Sequence, residues 1–181
     1  MSDSSQIVVD VEVGPREAER LGGAVLAWLI GEGVVLPRAS DSAAGGEGHR
    51  PGPGWRTATA GSPAFRRLRT NGVEILVGRR VFDGGGNGIE LRCGACRRRF
   101  EPALDAWSEA VGRWAEGDDG ASFACPGCGK SRPLQGWRGP TPWGFGNLAV
   151  QFWNWPALST GFVRALGKQL GHETVVVVSR V

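Results

Sequence analysis

The chain has 181 residues, a length that suits one domain, or one domain carrying an insertion, and leaves no room for a second large one. Apolar residues make up 41% and charged residues 22%, which is globular composition, while 30 glycines and 11 prolines call for many turns. A net charge of +3 does not by itself announce a polyanion partner, but the charge is polarised: residues 50–100 hold 11 arginines against Glu74, Asp83 and Glu90, whereas 101–119 hold six acids against Arg113 alone.

The opening MSDSSQ is polar, with no cationic stretch leading into an apolar one, and no apolar run approaches the roughly 18 residues that span a bilayer. The expectation is a cytoplasmic protein with no membrane partner. Residues 7–13, IVVDVEV, alternate as a half-buried strand. Pro15 then opens a helix whose Leu21, Val25, Trp28 and Leu29 share a face and which ends at Gly31 or Gly33. From 37 to 63 the chain turns to Ala, Gly, Ser and Pro without apolar periodicity, which reads as a long flexible loop.

Residues 71–82 read as a strand that turns through DGGGNG, 83–88, into a hairpin returning as IELRC. That glycine run lacks the lysine and the following Ser or Thr of a phosphate-binding P-loop. A helix is predicted over 101–116, with Leu104, Trp107, Val111 and Trp114 on one side. A strand at 147–155 stops at Pro156, Ser159 caps a helix carrying Phe162, Val163, Leu166 and Leu170, and Gly171 ends it. The closing ETVVVVSRV reads as a central strand covered on both faces.

Two βα-containing halves flank the cysteines, so the predicted class is α+β: a ferredoxin-like sandwich formed by residues 1–92 and 133–181, with a zinc-ribbon module inserted at 93–132. The four cysteines fall as Cys93-Gly-Ala-Cys96 and Cys125-Pro-Gly-Cys128, two pairs 28 residues apart. Each two-residue gap lets both thiolates of a pair turn toward one point, and two such knuckles complete a tetrahedron around Zn²⁺. Iron uses the same ligands at the same spacing and stands as the second choice. Paired disulfides would need an oxidising compartment, and a thioredoxin-like reading leaves one pair unexplained. Four thiolates leave zinc no open position, so the metal is read as structural.

No nucleophile-and-base set presents itself, and His49 and His172 read as ordinary histidines; no small-molecule substrate is evident and the protein is read as non-catalytic. The phrases LRCGAC, FACPGCG, GFGNLAVQFWNWP and LGHETVVVV resemble small bacterial four-cysteine zinc-ribbon proteins, from about residue 70 onward. That resemblance implies a cytoplasmic zinc fold and carries over no activity or binding residue. Some of these proteins bear transporter-ATPase labels, which a chain without a P-loop does not support.

Two roles follow. The preferred one is a protein-protein interaction module (adaptor, inhibitor or immunity-type) that presents Trp137, Trp143 and Phe145 to a protein partner. The alternative is a nucleic-acid-binding ribbon in which Arg97, Arg98 and Arg99 beside the first knuckle, with Lys130 and Arg132 beside the second, meet phosphates while Trp137 or Trp143 stacks on a base.

Overall fold

A computed structural model describes residues 3–44 and 46–181. In chain order its elements are β1 (Ser4–Asp10), α1 (Pro15–Gly31), β2 (Val35–Ala43), β3 (Gly46–Pro51), β4 (Val73–Phe82), β5 (Leu91–Arg92), β6 (Arg99–Phe100), α2 (Leu104–Ala115), β7 (Ser122–Ala124), β8 (Ser131–Pro133), β9 (Gly144–Trp153), α3 (Thr160–Leu170) and β10 (Thr174–Arg180). The fold is α+β. Six strands form one sheet in the order β10-β1-β9-β4-β3-β2, with every neighbouring pair antiparallel.

The apolar alternation of β1 explains its place in the sheet interior. Val8 and Val9 point to opposite faces, as successive strand residues must, and neither has exposed surface. Val8 joins Val25 and Leu29 of α1, Leu148, Val150 and Phe152 of β9, and Phe162 and Leu166 of α3 in the main core, so both helices lie on one face. On the other face Ile7 and Val9 meet Ala149, Val177 and Phe82. The helix boundaries follow local chemistry: Pro15 enters α1 at its first turn, the Ser159 hydroxyl accepts the Phe162 N–H to start α3, and Gly171 stops α3 in the left-handed region at φ 73°.

Three expectations need correction. Residues 37–63 are not a long loop; the described part builds most of β2, all of β3 and a 3-10 turn at Trp55–Thr57, and enters a second at Pro63–Arg67, with residue 45 outside the described residues. The apolar signal is missing because β2 is an edge strand whose middle, Leu36 to Asp41, stays half-buried or exposed. Strand β4 does not fold back onto β5 either. It pairs with β9, and the glycine run 83–88 instead lies along β10, where the Gly86 N–H donates to the Arg180 carbonyl at 2.8 Å and a β-carbon on Gly85 would stand 2.4 Å from that oxygen. Finally, β10 is an edge strand, with Val177 buried and Val178 51% exposed; its β-branched run reflects strand propensity more than two-sided burial.

Between β4 and β9 the chain forms two short hairpins, β5–β6 and β7–β8, and α2. These pack around a cluster of their own that includes Leu91, Phe100, Trp107, Phe123, Leu134 and Trp137. Trp114 ties this cluster to the sheet. Its ring meets Phe145 of β9 edge-on, and the Arg79 guanidinium of β4 lies 3.8 Å from its centroid while Nε donates to the Trp114 carbonyl.

Candidate metal centre

Each cysteine pair sits at the tip of one short hairpin. In the first, the Arg97 N–H donates to the Cys93 carbonyl at 2.9 Å and the Cys93 N–H to the Arg98 carbonyl at 2.9 Å. The second repeats this pattern: the Gly129 N–H donates to the Cys125 carbonyl at 2.9 Å and the Cys125 N–H to the Lys130 carbonyl at 3.0 Å. Within each knuckle a backbone N–H also points at the first sulfur, Ala95 to Cys93 Sγ at 3.4 Å and Gly127 to Cys125 Sγ at 3.3 Å. Both turns need a left-handed residue after the second cysteine. Gly129 supplies it at φ 71°, whereas the first knuckle places Arg97 there at φ 62°.

The four sulfurs lie within 4.8 Å of one another, with Cys93 to Cys128 at 3.8 Å and Cys96 to Cys125 at 3.7 Å. Sulfurs at about 2.3 Å from a central ion in a tetrahedron stand about 3.8 Å apart, so these separations leave room for a metal ion at the centre. Cys93 and Cys125 are buried and Cys96 and Cys128 are exposed. Backbone N–H groups of Cys96 and Ala95 pull the Cys93 thiol down to about 6. For Cys96 the Arg98 N–H acts in the same direction, but partial desolvation of the sulfur, although the residue as a whole is exposed, and the neighbouring Cys125, Cys93 and Cys128 sulfurs outweigh it and push the thiol up to about 11. Sulfurs this close compete for charge until a cation replaces their protons.

The basic residues divide by surroundings. Arg97 and Arg132 line a cleft of about 310 Å³ beside Cys93, together with Arg92 and Arg138, which the sequence did not single out. Arg92 and Arg138 are brought together by backbone pairing, the Arg92 N–H donating to the Arg138 carbonyl at 2.8 Å. Such pairing between distant segments leaves no spacing signal in the sequence. Arg98 reaches across to the second knuckle, its Cδ 2.6 Å from where a β-carbon on Gly127 would be, and Arg132 crosses over Gly94 in the same manner. Arg99 pairs with Glu90 at 3.3 Å. Among the described residues, no carboxylate lies within 4.0 Å of Arg92, Arg97, Arg98, Lys130, Arg132 or Arg138.

The aromatic anchors expected at a protein interface are elsewhere. Trp137 has no exposed surface and stacks on Phe123 at 4.9 Å; Trp143 is 9% exposed and packs on Trp107 at 4.4 Å; Phe145 is half-buried against both Trp143 and Trp114. Trp137 and Trp143 are core residues, so neither presents a face to a partner protein or an unpaired base. The turn formers around them signal a chain folding back over its own hairpins. Among the described residues, no helix is long and apolar enough to cross a membrane. No protein family, curated protein or solved structure matches the chain.

Proposed function

We propose that this chain is a zinc-ribbon protein that binds nucleic acid through its phosphates, using the arginine cleft beside the metal centre. The observation that carries this reading is the convergence of Arg92, Arg97, Arg132 and Arg138 on one cleft with, among the described residues, no carboxylate within 4.0 Å of any of them. Four like charges repel one another, and a polyanion relieves that repulsion while releasing its own condensed counterions. Guanidinium groups are also the side chains best shaped for paired hydrogen bonds to phosphate.

Zinc fits the centre because it accepts four thiolates in a tetrahedron and has no redox chemistry of its own to manage; its role would be to lock the two hairpins so that Arg97 and Arg132 face one cleft. The strand order β10-β1-β9-β4, with α1 and α3 on one face, supports a ferredoxin-like body into which the ribbon is inserted between β4 and β9. Resemblance to the bacterial four-cysteine ribbon proteins is in keeping with this arrangement. Among the described residues the large exposed apolar side chains, Leu36, Val77, Leu104, Val178 and Val181, include no aromatic. The contact is therefore read as phosphate-dominated and tolerant of sequence.

The test is fluorescence anisotropy of the zinc-loaded protein with single- and double-stranded oligonucleotides over a salt series. Neutralising about four phosphates of a single strand gives a slope of log K against log salt near −3. A variant with Arg92, Arg97, Arg132 and Arg138 all changed to glutamine should lose at least tenfold in affinity while keeping its metal and a cooperative unfolding transition. Absence of binding in the wild-type protein would return the preference to a protein partner.

A further inference from the structure

We infer that the larger cleft between the sheet and the metal module holds one unstacked base of a single strand whose phosphates lie on the arginines; this rests on the phosphate-binding reading above. The cleft measures about 760 Å³, within the roughly 300–1,000 Å³ range of small-ligand sites, and it adjoins the arginine cleft because Arg138 lines both. Arg138 Nη1 donates to the carbonyls of Gln135 at 2.6 Å and Trp137 at 3.0 Å, which fixes the guanidinium on the ridge between the two clefts. A strand bound along the arginines therefore passes the mouth of the larger cleft.

Charge decides which part of a nucleotide enters. Beyond Arg138 the wall of the larger cleft holds Glu12, Glu173 and the Arg79–Asp119 ion pair, in which the second arginine is already matched by a carboxylate, so the balance is negative, a second phosphate is repelled there and the uncharged base is favoured. Part of the remaining lining suits a flat ring with polar edges. Phe145 and Val175 give apolar surface, and Gln135, Thr141 and Asn147 offer the amide and hydroxyl groups that pair with base edges. Asn147 is held by its Nδ2 donating to the Val13 carbonyl at 2.9 Å, which orients its amide. In a duplex the bases are stacked and paired, so this arrangement selects single strands, or duplex ends that fray.

The experiment compares two probes of equal charge on the zinc-loaded full chain: a fluorescent octamer of deoxycytidine, and an octamer of abasic spacer phosphates. The expected result is at least tenfold tighter binding of the cytidine octamer. Thr141→Trp, which adds bulk to the larger cleft and leaves every arginine in the sequence, should lower cytidine binding to the abasic level and leave abasic binding unchanged. Equal affinity of the wild-type protein for both octamers overturns the base pocket and leaves the phosphate reading standing. If neither octamer binds, both readings fall. The comparison in the wild-type protein decides the matter even if Thr141→Trp does not fold.

Discussion

His172 Nδ1 lies 2.8 Å from Oδ2 of Asp10, a carboxylate with no exposed surface. The other oxygen of Asp10 accepts the N–H groups of Glu12 at 3.0 Å and Val13 at 2.9 Å, so one side chain joins the end of β1, the entry to α1 and the head of β10. The hydrogen bond to Asp10 raises the His172 pKa above its ordinary 6.5. A raised folded-state pKa means that the contribution is complete below 6.5 and is lost as pH rises through the raised value. Urea unfolding of wild type and His172→Gln should differ by about 1.5–3 kcal/mol at pH 6 and converge by pH 9. A gap that stays constant with pH would show that the charge on His172 is irrelevant.

The metal centre predicts a two-part response to chelation. Trp107, Trp114, Trp137 and Trp143, four of the eight tryptophans, belong to the cluster under the hairpins, whereas Trp55 and Trp155 belong to the main core. Removing the metal, or changing Cys93 to Ser, should shift tryptophan emission to the red and lower the melting temperature of the hairpin region. Far-ultraviolet circular dichroism of the six-stranded sheet should change much less. One metal ion per chain, measured by elemental analysis of protein purified under reducing conditions, is the accompanying expectation.

Two adjacent glycines in α1 should respond with opposite sign. A β-carbon on Gly22 would stand 2.9 Å from Ile75 and 3.1 Å from Leu148, where the helix presses on the sheet; one on Gly23 would meet nothing within 4 Å. Gly23→Ala is expected to stabilise by about 0.5–1 kcal/mol through reduced backbone freedom in the unfolded chain. Gly22→Ala is expected to destabilise, because overpacking of about 1–3 kcal/mol exceeds that gain. Denaturant midpoints of the two variants, measured side by side, check the sign.

Trp137 should behave as a core residue. Among the described residues its indole N–H has no hydrogen-bond partner, so Trp137→Phe loses packing but no polar contact and should be tolerated far better than Trp137→Ala, which is expected to cost about 3–5 kcal/mol. If Trp137→Ala melted like wild type and lost only a binding partner, the side chain would have to be at a surface.

Much of this architecture is legible locally. The alternation of β1, the proline and glycine limits of α1 and α3, the Ser159 cap and the pairing of the cysteines are all set by interactions within a few residues. What escapes sequence reading depends on contacts between distant segments. The 37–63 span looks unstructured because an edge hairpin needs no apolar face, and β4 finds β9 rather than β5 because register over the central sheet outweighs a nearby turn. The arginine cleft is half legible for the same reason: Arg97 and Arg132 adjoin the cysteine motifs, but only the bridge between Arg92 and Arg138 adds the other two guanidiniums.

The two knuckles share one backbone design, yet where the second has Gly129 the first has Arg97 in the same left-handed posture. Foldability alone would choose glycine at both places, since the side chain costs about 1 kcal/mol in that conformation. Arg97→Gly should accordingly raise the melting temperature while weakening oligonucleotide binding. Opposite movement of those two readouts would mark the position as one where the chain gives up robustness to keep a cation in place.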